Sequence, residues 1–129
     1  MDAAAALADL TEISSQVETA AVFGTDGSTL ASTFADDAGA ERLVGAAREL
    51  LAVAGEVPTN TGRELTQLEV GLREGSVFVV RDGELAIAAT TSARPTAGLV
   101  LYDLRTCLRA LAPAQPAARK RRARKPADA

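Results

Sequence analysis

The chain has 129 residues, of which 47% are hydrophobic, so it suits one globular domain that buries roughly two-thirds of its unfolded surface. It contains one cysteine, no histidine and no tryptophan, and no apolar run approaches the roughly 18 residues needed to cross a bilayer. This composition excludes an imidazole base or imidazole metal ligand. The first residues lack the positive region of a signal peptide, so we expect a reduced, cytoplasmic protein.

Charge is distributed unevenly along the chain, although the net charge is only −3. Residues 1–112 carry 8 basic and 16 acidic side chains, a net of −8. Residues 113–129 contain three prolines, many alanines and a basic cluster, so they cannot bury enough surface to offset the entropy of ordering. We predict a domain over residues 1–112 and a disordered basic tail over residues 113–129, with these cations: Arg119, Lys120, Arg121, Arg122, Arg124 and Lys125.

The first part of the chain has the pattern of a helix followed by a hairpin. Residues 2–16 repeat apolar side chains at helical spacing, which predicts an amphipathic helix. Asp26-Gly27 then separates two β-prone runs and readily supplies the positive φ angles of a tight turn. Residues 19–23 are apolar on both faces, as in an interior strand, whereas the mixed run 28–34 indicates an edge strand.

The most strongly patterned segment is a predicted helix over residues 40–57. Its apolar positions cover about half of the circumference, which is wider than packing on one sheet requires. They are Leu43, Val44, Ala46, Ala47, Leu50, Leu51, Val53 and Ala54. The other face holds Glu41, Arg42, Arg48 and Glu49 around the small residues Gly45 and Ala52, a surface that can admit another backbone closely.

Three strands and a helix are predicted in the rest of the chain. Between residues 67 and 72, apolar Leu68, Val70 and Leu72 alternate with other residue types, which predicts a strand with one buried face. The runs 77–80 and 85–89 are apolar on both faces and are joined by Asp82-Gly83, so they predict interior strands. The last helix is indicated by an apolar stripe after Pro95: Ala97, Leu101, Leu104, Leu108 and Leu111.

The predicted fold is therefore an α+β sandwich of order α-β-β-α-β-β-β-α. A five-stranded antiparallel sheet carries helices on both faces, and its second and third strands form the edges.

Groups suited to catalysis are scarce in this chain. Cys107 falls inside the last helix and away from any helix N-terminus, so we interpret it as buried and inert. Asp36 and Asp37 are adjacent carboxylates in a predicted loop, where nothing fixes the separation that acid and base roles need. The glycines lack the phosphate-cradling spacing of nucleotide-binding loops. We expect no enzymatic activity, no cofactor, no metal and no nucleotide bound by this chain itself.

The order of elements, with the turns Asp26-Gly27 and Asp82-Gly83, resembles the roadblock / dynein light chain family over roughly residues 5–112. The chain looks most like bacterial, actinobacterial-like members that partner Ras-like GTPases. The resemblance implies a homodimer in which third strands or middle helices meet across a two-fold axis and present a platform to a GTPase. The edge character of the third strand and the broad apolar face of the middle helix indicate the same arrangement.

This resemblance and the residue patterns together suggest interface positions. The expected dimer contacts are Gly45, Arg48, Ala52, Gln67, Leu68, Glu69 and Val70. The expected contacts with the GTPase are Glu41, Arg42, Glu49 and Arg63.

Two alternative functions remain open from the sequence. One is a small-ligand sensor of profilin-like architecture, although the inward strand positions are aliphatic or phenylalanine. The other is an adaptor whose basic tail binds an anionic membrane or nucleic acid, weakly and with strong salt dependence.

Overall fold

A computed structural model describes residues 2–58 and 67–111 of the chain. Its elements in chain order are α1 (Ala3–Ile13), β1 (Val17–Gly24), β2 (Thr29–Ser32), α2 (Asp37–Ala54), β3 (Gln67–Gly71), β4 (Gly75–Asp82), β5 (Leu85–Ser92) and α3 (Ala97–Leu111). The strands form one antiparallel sheet of order β2-β1-β5-β4-β3. The predicted fold, including β2 and β3 as the edges, is confirmed.

The sheet separates two apolar layers. Helices α1 and α3 pack on one face, where Val22, Phe78 and Ile87 are buried, and α2 packs on the other, against Phe23 and Val79. Neighbouring residues of one strand point to opposite faces, so an interior strand between two layers needs apolar residues at every position. This requirement explains the continuous apolar runs that the sequence shows.

Helix α2 begins and ends three residues earlier than the sequence predicts. The Asp36 carboxylate caps it by accepting a hydrogen bond of 3.0 Å from the Gly39 backbone N–H, and Asp37 lies in its first turn. The prediction that these two aspartates lie in a loop is wrong for Asp37, while Asp36 lies outside the helix as its extended cap residue. Carboxylates at a helix N-terminus satisfy free N–H groups and interact favourably with the dipole. Gly55 ends the helix, and Val57 lies in the turn beyond it.

Helix α1 is also shorter than the predicted range 2–16. Asp2 caps its start by accepting a hydrogen bond of 2.8 Å from the Ala5 backbone N–H. Its end is set by Ser14, whose hydroxyl accepts hydrogen bonds from the backbone N–H groups of Gln16 and Val17 as the chain turns into β1. Serine side chains compete with helix continuation through such bonds, a signal that apolar periodicity does not contain.

Both turns that the sequence singled out are present. Gly27 has φ 103° and Gly83 has φ 66°. The predicted tail and Arg63 lie outside the described residues.

Candidate association surface

Strand β3 has a free edge. The Leu72 backbone N–H donates to the Gly75 carbonyl at 2.7 Å and closes the turn to β4, with Val70 opposite Val77 in the ladder. Because hydrogen-bonded pairs alternate in an antiparallel ladder, Leu72 and Val70 bond to β4. The backbone groups of Gln67, Glu69 and Gly71 therefore point away from the sheet, and these groups are available to another strand.

The side chains of β3 are less buried than the sequence predicts. Leu68 and Val70 are half-buried on the face that carries α2, and Leu72 lies beyond the strand with 59% of its surface exposed. The prediction of a buried face that includes Leu72 is wrong. The β3 side chains stay partly exposed because α2 packs mainly on β1, β2 and β5 and does not extend over this edge of the sheet.

Helix α2 has more apolar surface than its core requires, as its sequence pattern predicts. Leu43, Val44 and Ala47 are buried, whereas Val53 is 64% exposed, and Val57, in the turn after the helix, is 60% exposed. We use the name apolar edge for two groups of incompletely buried apolar side chains, Val53 and Val57 at the end of α2 and Leu68, Val70 and Leu72 along β3.

Val53 lies on one flank of α2. Arg48 occupies the opposite flank, because five residues separate it from Val53 and rotate it by about 140°. The guanidinium of Arg48 lies over the β1–β2 turn, where a Cβ built on Gly27 would lie 2.8 Å from Nη1. The structure therefore separates Arg48 from Leu68 and Val70, the residues with which the sequence analysis grouped it.

The small residues of α2 are open to solvent. Gly45 and Ala52 are exposed, and a Cβ built on Gly45 would have nothing within 4 Å among the described residues. Seven residues separate them, which is almost two helical turns, so they lie on one stripe of the outer face. That this stripe admits another backbone closely stays a prediction.

The expected GTPase contacts do not form one cluster. Glu41 lines a groove of about 440 Å³ between α2 and the β2 edge, together with Asp37. Arg42 and Glu49 are exposed and seven residues apart, so they share a stripe beside the apolar edge. Arg63 is outside the described residues, and its placement stays a prediction.

The β1–β2 turn carries a carboxylate whose ionised form is favoured. Hydrogen bonds from the Ser28 backbone N–H (3.0 Å) and hydroxyl (2.7 Å), with a smaller contribution from the charge of Arg48, lower the pKa of Asp26. Asp26 is exposed, so this arrangement orders the turn and is not a catalytic environment.

Cys107 is buried, as predicted. It lies between α1 and α3, where burial, and to a lesser degree the charge of Asp9, raises the pKa of its thiol to about 11. A thiol with so high a pKa is a poor nucleophile at neutral pH. Over residues 2–58 and 67–111, no group of three or more Cys, Asp and Glu side chains is arranged to hold a metal ion, and no helix there is long and apolar enough to span a membrane.

One polar contact across the fold escaped the sequence analysis. Arg105 Nη1 on α3 donates a hydrogen bond of 2.6 Å to Gln67 Oε1 on β3. The spacing of Arg105 and Arg109 by one helical turn is visible in the sequence, but their position beside β3 is a tertiary feature.

The sheet order, the two layers and the open β3 edge define a roadblock/profilin-like α+β domain. The chain belongs to the Roadblock/LC7 family, because the family model described as Roadblock/LC7 domain matches residues 4–92. No curated protein matches the chain by sequence.

Similar solved structures support this fold. The Roadblock/LC7 domain from Streptomyces avermitilis is 16% identical, with a TM-score of 0.78 over 88% of this chain and 98% of that chain. Myxococcus xanthus MglB is 13% identical, with a TM-score of 0.69 over 92% and 87% of the two chains. The match to the complex of LokiProfilin2 with rabbit actin has 17% identity and a TM-score of 0.57 over 83% and 92%. At these identities the likeness shows the fold alone.

Proposed function

We propose that this chain forms a non-enzymatic, homodimeric scaffold that binds a Ras-like GTPase and modulates its nucleotide cycle or its location. Family membership and the resemblance to bacterial members that partner such GTPases support the proposal. One structural observation supports it: β3 has a free backbone edge with incompletely buried apolar side chains, and Val53 and Val57 at the end of α2 are exposed as well. A second copy brings the complementary strand and the same apolar side chains.

The side chains of β3 favour one dimer register. In a two-fold antiparallel pair of strands, positions are arranged symmetrically about one central residue. With Val70 at the centre, Val70 faces its own copy and Leu68 faces Leu72 of the second copy, so three apolar pairs form on one face. With Glu69 at the centre, two glutamates oppose each other, which is destabilising.

The opposite face of the strand pair is consistent with the same register. With Val70 central, Glu69 lies across from Gly71 of the second copy, where no side chain competes for space. Arg73 of the second copy is then a diagonal neighbour of Glu69, within reach of a long side chain. Exposed Leu72, which nothing in the described chain covers, becomes buried in this arrangement.

A dimer of this kind aligns two α2 helices beside the joined sheet. The stripe of Gly45 and Ala52 stays exposed on this face, and Arg42 and Glu49 lie beside it. We place the GTPase on this composite surface. Its switch segments differ between the GTP and GDP states, so nucleotide-dependent association is expected.

The deciding experiment uses the full chain and a Ras-like GTPase from the same genome, loaded with GTP analogue or GDP. Binding is measured by biolayer interferometry and hydrolysis by phosphate release. Val53→Glu adds charge to the apolar edge and should abolish both the dimer and GTPase binding. Ile13→Glu is the matched control, because Ile13 is 67% exposed on the other side of the sheet, and this variant should behave as the native chain.

Hydrolysis of GTP by the purified chain alone would contradict the proposal. So would a stable dimer that binds none of the Ras-like GTPases of its organism, in which case the profilin-like sensor becomes the better account.

A further inference from the structure

A polar cleft lies apart from the apolar edge. A cleft of about 160 Å³ opens between β4 and the last two turns of α3. Its polar lining consists of Gln67, Arg81, Asp82, Arg105 and Arg109, and Leu108 contributes apolar wall. The described residues carry 15 carboxylates and 7 arginines, so a cleft whose α3 wall carries two arginines, Arg105 and Arg109, departs from the charge of the domain.

One guanidinium of the cleft is held in place. Arg105 is half-buried, and its Nη1 donates to Gln67 Oε1 at 2.6 Å. This bond uses one of the five N–H donors of Arg105 and leaves the amide NH₂ of Gln67 as a further donor. The bond therefore fixes the orientation of the remaining N–H donors of Arg105 and Gln67, and the carbonyl oxygen of Gln67 already accepts a hydrogen bond.

The second guanidinium on α3 lies one helical turn away. Arg109 is exposed and makes no hydrogen bond or ion pair with other residues of the described ranges. Like charges at this spacing repel each other along a helix. A bound anion would replace that repulsion with charge-assisted hydrogen bonds, and the planar fork of arginine matches phosphate oxygens in pairs.

We propose that this cleft binds the dianionic phosphate group of a phosphate monoester. The two guanidiniums on α3, Arg105 and Arg109, together carry a formal charge of +2, which a dianion matches and a single carboxylate does not. The site is formed by one chain, so it stands whether or not the dimer and the GTPase interaction are found.

Titration of the full chain with glycerol 3-phosphate, followed by NMR of the backbone amides, tests the site. Saturable shifts are expected at Gln67, Arg105 and Arg109. Binding should strengthen as pH rises from about 5 to about 7, because a monoester gains its second charge near pH 6 while arginine stays protonated. Acetate should give no comparable pH dependence.

Two substitutions and a matched control locate the site. Arg109→Gln and Arg105→Gln should each weaken binding roughly tenfold or more, since each removes a charged donor. Arg109 has no partner among the described residues, so its substitution leaves the fold intact even if Arg105→Gln does not. Arg94→Gln, an exposed site before the opposite end of α3, should bind as the native chain does.

The source of the phosphate is resolved by a second probe, phosphatidylcholine vesicles with and without phosphatidate. Binding of glycerol 3-phosphate shows that the cleft accepts a free monoester. If only phosphatidate vesicles bind, and Arg109→Gln weakens that binding, the headgroup of a lipid is the source. Unchanged binding of both probes by Arg109→Gln, or binding of neither by the native chain, would overturn the proposal.

Discussion

The guanidinium of Arg48 on α2 lies over Gly27 in the β1–β2 turn, with Nη1 2.8 Å from the position that a Cβ of residue 27 would occupy. This contact links Arg48 to a turn residue 21 positions before it in sequence, and a Cβ at residue 27 would displace the guanidinium. Gly27 also has φ 103°, a backbone conformation that side chains disfavour. Position 27 is therefore restricted by two independent effects.

Gly27→Ala should lower the free energy of unfolding by about 1–3 kcal/mol, from backbone strain and from displacement of Arg48. Gly83→Ala is the matched control, because Gly83 has φ 66° and nothing within 4 Å of a Cβ among the described residues, so it reports strain without the contact. Urea unfolding of both variants measures the difference. Equal losses would show that the Arg48 contact contributes nothing, and Arg48→Ala in the Gly27→Ala background should recover the difference.

Val70→Cys should form a disulfide between two copies of the chain under mild oxidation. In the proposed register residue 70 lies on the two-fold axis in a non-hydrogen-bonded pair, where Cα atoms are about 4.5 Å apart, within the range that a disulfide spans. Leu68→Cys is the control, since it faces Leu72 of the second copy and should stay reduced. The readout is the mass on a non-reducing gel. Cross-linking of Leu68→Cys alone would place the axis at residue 68.

Glu69→Pro should separate the dimer and leave the monomer folded. The N–H of Glu69 points away from β4, so proline there removes only the hydrogen bond offered to a second strand. Val70→Pro removes a bond within the sheet and should cost about 1–3 kcal/mol of stability. Light scattering should give twice the 13.3 kDa chain mass for the native protein and the single mass for Glu69→Pro. A native chain that is monomeric at micromolar concentration would refute the dimer.

Stability should fall at alkaline pH because of Cys107. Burial raises the pKa of its thiol from 9.0 to about 11, so the unfolded chain loses the proton first. The stabilisation is present below pH 9 and is lost as pH rises through 11, in total ~3 kcal/mol. Cys107→Ala should lack this component of the pH dependence, measured by urea unfolding at several pH values. Rapid reaction of the native thiol with an alkylating reagent at neutral pH would contradict the interpretation.

Truncation after Ala112 should leave the melting temperature and the dimer nearly unchanged. The removed residues include the six cations from Arg119 to Lys125, which are expected to contact anionic surfaces and not the domain. Binding to anionic vesicles or polynucleotide, and its salt dependence, should disappear with them. Phosphate binding in the cleft of Arg105 and Arg109 should persist. Unfolding or loss of the dimer would show that the boundary at residue 112 is wrong.

Local patterns in the sequence determined the element order and the two edge strands. An interior strand between two helical layers must be apolar on both faces. Residues 19–23 and 77–80 meet this requirement, which can be recognised without knowledge of the neighbouring strands. The turns at Gly27 and Gly83 are readable for the same reason, since the φ preference is a property of a few residues. Helix caps were harder to predict from the sequence. Apolar periodicity did not indicate that Asp36 caps α2, because a cap depends on side-chain hydrogen bonds.

Only the tertiary structure decided which surfaces stay uncovered. The sequence showed that α2 has excess apolar surface, but the placement of α2 over β1, β2 and β5 is what exposes Val53 and Leu72. The same placement directs Arg48 to the turn at Gly27, on the flank opposite Val53. Arg105 and Gln67 are 38 residues apart and meet because α3 crosses the sheet near β3. Such contacts depend on how whole elements pack, and no local periodicity encodes that packing.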